Sequence, residues 1–451
     1  MMKITRRQWL AGGSKLMLAS MLPRPLWAAQ TADSTLHLQA QESTVNWLQK
    51  PTTLWSYNQT TLHLKQGVPQ KIRVTNNLPQ ATTVHWHGVR VANAMDGVSG
   101  LTQSPIQPGE YFEYEVMSPD AGTFWFHSHH NTVEQLARGL YGALIVSGEK
   151  EPVFEQDWLL LMDDWLLNED GQIDTTFNNL HTQAHAGRMG NILSVNAQLG
   201  AWKQQTQPGD RVRLRLVNTA TNRILQLRPE FPGALLLAKD GQPLMTPEPV
   251  GDLIVMGPGE RWDLGWLANQ TGQLLEVSGQ TPLLVAEVNV SSNAAMALPL
   301  YPGTMALPAN PMPLPSSEID QKIDLILEGG AMGRLQTAHY QGKTLSFREL
   351  VNHGQVWTIA GQAGMSTEPL FRTRPGQTIE LQLDNRTAFA HTIHWHGHHA
   401  WADNRWQDSL TLTRGQRKTV RLLTGNTGKW LIHCHMIDHQ ATGMVTWFEV
   451  V

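Results

Sequence analysis

The chain reads as all-β, built from three consecutive β-sandwich units. Three observations predict this. Short alternating runs recur along all but the first thirty of the 451 residues, broken by frequent turns. A strand that closes on asparagine appears three times, at Ile72–Asn76, Val212–Asn218 and Thr378–Asn385. A stretch rich in Pro, Ser, Asn and Ala interrupts the pattern once, at 291–320. A chain this long naturally divides into two or three domains.

The first thirty residues read as an address. Thr5, Arg6, Arg7, Gln8, Trp9 and Leu10 form a twin-arginine pattern, and Trp27-Ala28-Ala29 resembles a signal-peptidase site. Export by the twin-arginine route to the periplasm is expected. Lys15 interrupts the apolar stretch, which argues against a retained membrane anchor. No later segment has the roughly 20 apolar residues needed to span a bilayer.

The first unit is expected over 31–150. Leu62–Lys65, Lys71–Val74 and Tyr111–Val116 alternate as strands, and Thr123–His129 and Tyr141–Val146 complete the unit. The second, over 151–290, repeats the texture from Trp158–Met162 to Leu284–Val288. Its histidines His181 and His185 are not paired at i and i+2. After the linker at 291–320, the third unit over 321–451 begins at Ile323–Leu327. The net charge of −4 gives no signal for nucleic acid or an anionic membrane.

The chemistry concentrates near the C-terminus. Cys434 is the only cysteine of the chain and lies between His433 and His435. No internal disulfide is possible, and a lone thiol in an oxidising compartment needs something to occupy it. His439 and Met444 follow. Two imidazoles, a thiolate and a weak thioether are the ligands of a blue, type 1 copper. On a strand His433 and His435 face one way and Cys434 the other. The two histidines must therefore serve a second site, one covalent step away.

Three more such pairs exist: His85/His87, His127/His129 and His394/His396. Each aims two imidazoles at one place. Eight imidazoles exceed what one metal takes, so they imply a polynuclear cluster between the first and third units. His391 has an odd offset from His394 and should instead join Cys434 and His439. Met444, after Gly443, can cap that site.

These motifs, His85-Trp-His87-Gly88, His127-Ser-His129, His391 to Gly397, and His433 to His439 with Met444, resemble those of the multicopper oxidases. The family includes laccases, ascorbate oxidase and bacterial copper-tolerance oxidases. The resemblance implies three cupredoxin-like Greek-key domains, the second without copper motifs, and four copper ions. It assigns His391, Cys434, His439 and Met444 to type 1 copper and His85 and His394 to type 2. His87, His127, His129, His396, His433 and His435 go to the type 3 pair. Asp96 resembles the acid that orients water and relays protons. Where some members carry an acid after the last histidine, this chain has Gln440, which cannot donate a proton as an acid can.

The resemblance also implies O2 as acceptor, reduced by four electrons to water, in a monomeric enzyme. The reductant is a phenol, an aromatic amine or a metal ion. A dedicated Cu(I) or Mn(II) oxidase in copper tolerance is the alternative. A copper-free scaffold is a third reading, against which all ten motif histidines, Cys434 and Met444 stand. Copper nitrite reductase would need neither four pairs nor three domains. His130, His398 and His399 fall off the ligand spacing and are expected behind the ligands or at the surface, with His398 or His399 an option for lining the type 1 entrance. Asp408 is expected either to serve a turn or to hydrogen-bond a type 1 ligand or a reductant. Met296, Met305, Met312 and Met332 are read as packing and loop residues.

Overall fold

The computed structural model describes residues 35–291 and 305–451. The twin-arginine motif, the cleavage site and Met296 lie outside the described residues. No helix among the described residues is long and apolar enough to cross a membrane.

The protein is nearly all β, and its strands pair within three stretches of chain. Residues 36–147 form two four-stranded sheets, residues 156–290 a seven- and a five-stranded sheet, and residues 321–450 a six- and a five-stranded sheet with a small hairpin. Each stretch has its own apolar core. Ile72, Trp86 and Phe124 lie in the first, Leu214, Leu227 and Trp266 in the second, and Leu381, Trp395 and Trp430 in the third. Burial of alternate side chains on facing sheets is what holds such layers together.

The repeated asparagine has a structural cause. Gln70–Asn76, Arg211–Asn218 and Thr378–Asn385 each lie between a parallel and an antiparallel neighbour. At the end of each strand the buried asparagine amide closes one corner. Asn76 donates to the carbonyls of Gln80 and Ile106, Asn218 to those of Arg223 and Met256, and Asn385 to those of Phe389 and Leu412. Their side-chain oxygens accept from the N–H groups of Leu78, Ala220 and Thr387. A buried turn must satisfy its backbone groups, and one amide does so three times.

The strand pairings place the histidine motifs. His85–His87 pairs antiparallel with Gly122–His127, setting His85 opposite His127. In the third stretch His391–Trp395 pairs with Gly428–Cys434, setting His394 opposite His433 and Ile393 opposite Cys434. Gly428–Cys434 is flanked on its other side by Val445–Val450. Met305 is buried against Leu235 and Leu237, in agreement with a packing role. Met332 is an exposed loop residue.

Candidate metal centre

Histidines from the first and third stretches meet in one buried cluster. Their donor atoms fall into groups lying within 4.8 Å of one another: His85, His87 and His394; His87, His127 and His435; His129, His396 and His433. Behind Cys434 a separate group is formed by His391, Cys434 and His439. The strand parity expected of Cys434 and its neighbours therefore holds, and so does the odd offset of His391.

Hydrogen bonds fix the free nitrogen of most rings. A ring nitrogen facing a carbonyl or carboxylate must be the protonated donor, which leaves the other nitrogen with a lone pair. His85 donates through Nδ1 to the Asp96 carbonyl at 2.9 Å, and His394 through Nδ1 to the Asp408 carbonyl at 2.8 Å. His127 and His433 donate to the carbonyls of Ser128 and Cys434. His396 donates to the Asp96 carboxylate at 2.9 Å. His87 is reversed. Its Nε2 donates to the Asp408 carboxylate at 3.2 Å, leaving Nδ1 free. The buried atoms without a partner include the inward ones this scheme requires: Nε2 of His85 and His394, and Nδ1 of His87.

Lone pairs then confront each other. Nε2 of His396 lies 3.1 Å from Nε2 of His433, although both rings carry their proton on Nδ1. At the other site His391 and His439 turn Nδ1 toward each other at 3.0 Å, and the Cys434 sulfur is 3.6 and 3.7 Å away. Their Nε2 atoms are engaged outward, with Thr387 and with the His185 carbonyl. Facing lone pairs in a buried site repel unless a cation lies between them.

Electrostatics favours the same occupant. Burial, reinforced by the neighbouring rings, holds His87, His127, His129, His396, His433 and His435 well below the ordinary imidazole range. Burial lowers His439 to about 4. Burial also pushes the Cys434 thiol up to about 12. The rings are thus neutral and ready to ligate, and only a cation can hold Cys434 as thiolate at neutral pH. The donor set fits copper: imidazoles alone in the cluster, imidazoles with sulfur beside Cys434. The backbone N–H of Cys434 donates to the Met444 carbonyl at 3.0 Å, and Met444 is fully buried in the apolar cluster that includes Cys434.

Sequence models of the multicopper oxidases match residues 39–151 and 336–451. A multicopper oxidase structure from Pseudomonas thermotolerans superposes with a TM-score of 0.79 at 29% identity, covering 93% of this chain and 99% of that one. Lac15 from a marine microbial metagenome gives a TM-score of 0.71 at 30% identity, covering 92% and 100%. The multicopper oxidase MmcO of Mycobacterium tuberculosis is 27% identical over 418 residues, 84% of this chain and 79% of that protein. The chain belongs to the multicopper oxidase family. It is an oxidoreductase whose family implies copper, O2 and a reductant.

The position of Asp408 was not legible in the sequence. Asp408 sits at the cluster, on His87 and near His394, and not beside His391, Cys434 or His439. Its carboxylate is gripped by Arg261 from the second stretch, through Nη1 at 2.8 Å and Nη2 at 2.5 Å. His398 and His399 are buried behind the histidine cluster, as expected, His398 on the His396 carbonyl and His399 on the Asp240 carbonyl, and neither borders His391 or His439. His130 bonds Ser99, away from the ligand groups.

The second stretch therefore carries no copper motif yet builds both sites. Gly259 brings its backbone against the cluster at a φ of +87°. A side-chain carbon there would lie 2.9 Å from His87 and 3.0 Å from His435, so only glycine fits. At the Cys434 site the second stretch supplies the His185 carbonyl to His439. It also holds Asp438, which accepts from the Arg188 N–H and from the Asn222 and Gln183 amides. Asp438 thus points away from the cluster, and it does not replace the acid absent at Gln440.

Proposed function

We propose that this protein is a laccase-type oxidase. It takes single electrons from a reductant near Cys434 and passes them to O2 at the histidine cluster. The facing imidazole lone pairs at two separate buried places support this reading most directly. His391, Cys434, His439 and Met444 would hold type 1 copper, and His85 and His394 type 2. The geometry supports dividing the type 3 ligands into His87, His127 and His435 on one side and His129, His396 and His433 on the other. Bound copper would supply one-electron exchange at the first site and four-electron reduction of O2 to water at the second.

The chain's own part is positional. Cys434 is joined through its backbone to His433 and His435, which gives a short bonded route between the sites. Full burial keeps bulk water away from the cluster. Asp96 holds His396 through one carboxylate oxygen and lies 3.2 Å from His85 through the other. It would orient water and hand on protons between those two rings. The division into units at 31–150, 151–290 and 321–451, the linker at 291–320 and export to the periplasm belong to the same reading.

Copper-loaded protein is expected to be blue and to consume O2. Oxygen uptake with a phenol, Cu(I), Fe(II) and Mn(II), measured side by side, tests this. Colourless protein, or no uptake with any donor, would sink the proposal. Asp96→Asn is expected to slow O2 uptake by about 100-fold or more, the usual contribution of a positioned acid or base. The blue band should then stay bleached during turnover, because electrons still arrive while their onward transfer stalls. A variant that stays blue during slow turnover would place the defect at electron entry instead.

A further inference from the structure

The ligand imidazoles beside Cys434 are closed off from outside. His391 and His439 are both fully buried. The Nε2 of His439 donates to the His185 carbonyl at 2.8 Å, and that of His391 meets Thr387 Oγ1 at 2.8 Å. Trp357 covers both rings, 4.4 Å from His439 and 5.0 Å from His391, and its indole N–H donates to the Gln183 carbonyl. Phe389 packs between Trp357 and His185. An organic donor has no ligand edge to stack upon. The His185 carbonyl, hydrogen-bonded to His439, offers a direct route inward from the surface.

The outer side of the segment 183–185 carries two imidazoles. His181 and His185 lie one turn apart with ring centres separated by 4.4 Å, and His181 is exposed. His185 Nδ1 donates to the His181 carbonyl at 2.6 Å, which leaves the lone pair on Nε2. Asn179 caps this turn by accepting from the Thr182 N–H at 3.1 Å. Two exposed methionines lie on the segments that meet here. Met189 follows in the same loop, and Met332 follows Ala331, whose N–H donates to the Ala184 carbonyl at 2.7 Å. The segment is also pinned from within, because Asp438 binds Gln183 and the Arg188 N–H.

We infer that His181 and His185 form the docking site of a metal-ion donor, a cuprous ion, whose electron enters through the His185 carbonyl into His439. This rests on the oxidase reading above, with electron entry at Cys434. A pair of imidazoles selects a soft or borderline ion, whereas Mn(II) prefers carboxylates. Asp438, the acid next to His439, is committed inward and serves neither a hard ion nor a phenol as base. Each Cu(I) gives up one electron and leaves as Cu(II). Four such electrons and four protons convert one O2 to two waters. From the His185 ring to His439 the route is one residue of covalent chain and one hydrogen bond.

The test uses the copper-loaded enzyme with Ag(I) as a redox-inert stand-in for Cu(I), measured by equilibrium dialysis. The parent is expected to bind one Ag(I) beyond its resident copper. The double variant His181→Ala with His185→Ala should lose it, and its kcat/KM for Cu(I) should fall by about tenfold or more, through KM. Alanine at 185 keeps the backbone carbonyl, so the blue band should not shift. His181→Ala alone, at an exposed position, should give a smaller loss in the same direction. Unchanged Ag(I) binding in the double variant would overturn the inference, as would an equal loss with a phenol donor. Failure of the oxidase reading would show differently: the parent would consume no O2 with any donor, while Ag(I) binding would still report on the pair.

Discussion

Cys434→Ser is expected to abolish the blue colour and to lower turnover with every donor by about a thousandfold or more. The thiol is fully buried between two imidazole lone pairs, and no other sulfur donor can replace a thiolate there. A serine hydroxyl is harder, remains protonated and gives no thiolate charge-transfer band. The substitution removes little volume, and His433 and His435 keep their strand. The cluster should therefore still load. Visible absorption, oxygen uptake and the type 2 copper signal in electron paramagnetic resonance separate the effects. Retained turnover in a colourless variant would show that electrons reach the cluster by another route.

Arg261→Met is expected to cost about 3–5 kcal/mol, because it leaves buried carboxylates without their cation. Arg261 is fully buried, grips Asp408 through two nitrogens and lies 3.6 Å from Asp240. Burial and the neighbouring Asp408 raise Asp240 to about 7 even with Arg261 present. Without the guanidinium, Asp408 would take up a proton and release its hold on His87 Nε2. The ring could then present the wrong nitrogen to the cluster. Two measurements check this: the urea midpoint of the apoprotein should fall, and copper content should drop by more than the type 1 ion alone. Adding Asp408→Asn to Arg261→Met should recover part of the stability, because it removes the orphaned charge. Parent-like stability with full copper would show that Arg261 does not position the cluster.

Much of the candidate site was legible because parity along a strand is a local property. Residues i and i+2 share a face whatever surrounds them, so the split between Cys434 and its two neighbours followed from the chain alone. The same parity sent His391 to Cys434 and His394 and His396 to the cluster. The lone cysteine and the four pairs named the chemistry, and the three asparagine-ending strands named the repeat. Asp408 shows where this logic stopped. It follows the third motif by a turn, and its face depends on how that turn packs. A turn role and a bond to a type 1 ligand or a reductant were the readings its position suggested, and the cluster was not among them.

The all-β class, the donor types and the face shared by each histidine pair are local properties of the chain. Which imidazoles from different strands converge on one point follows from packing between distant segments. The same packing lets the second unit, without a copper motif, hold the cluster through Arg261 and cover Cys434's partners through His185. The physical reason is distance along the chain. Arg261 and Asp408 are 147 residues apart, and His185 and His439 are 254 apart. Such contacts are selected by burial and charge pairing between packed units, and they leave no period in the local sequence.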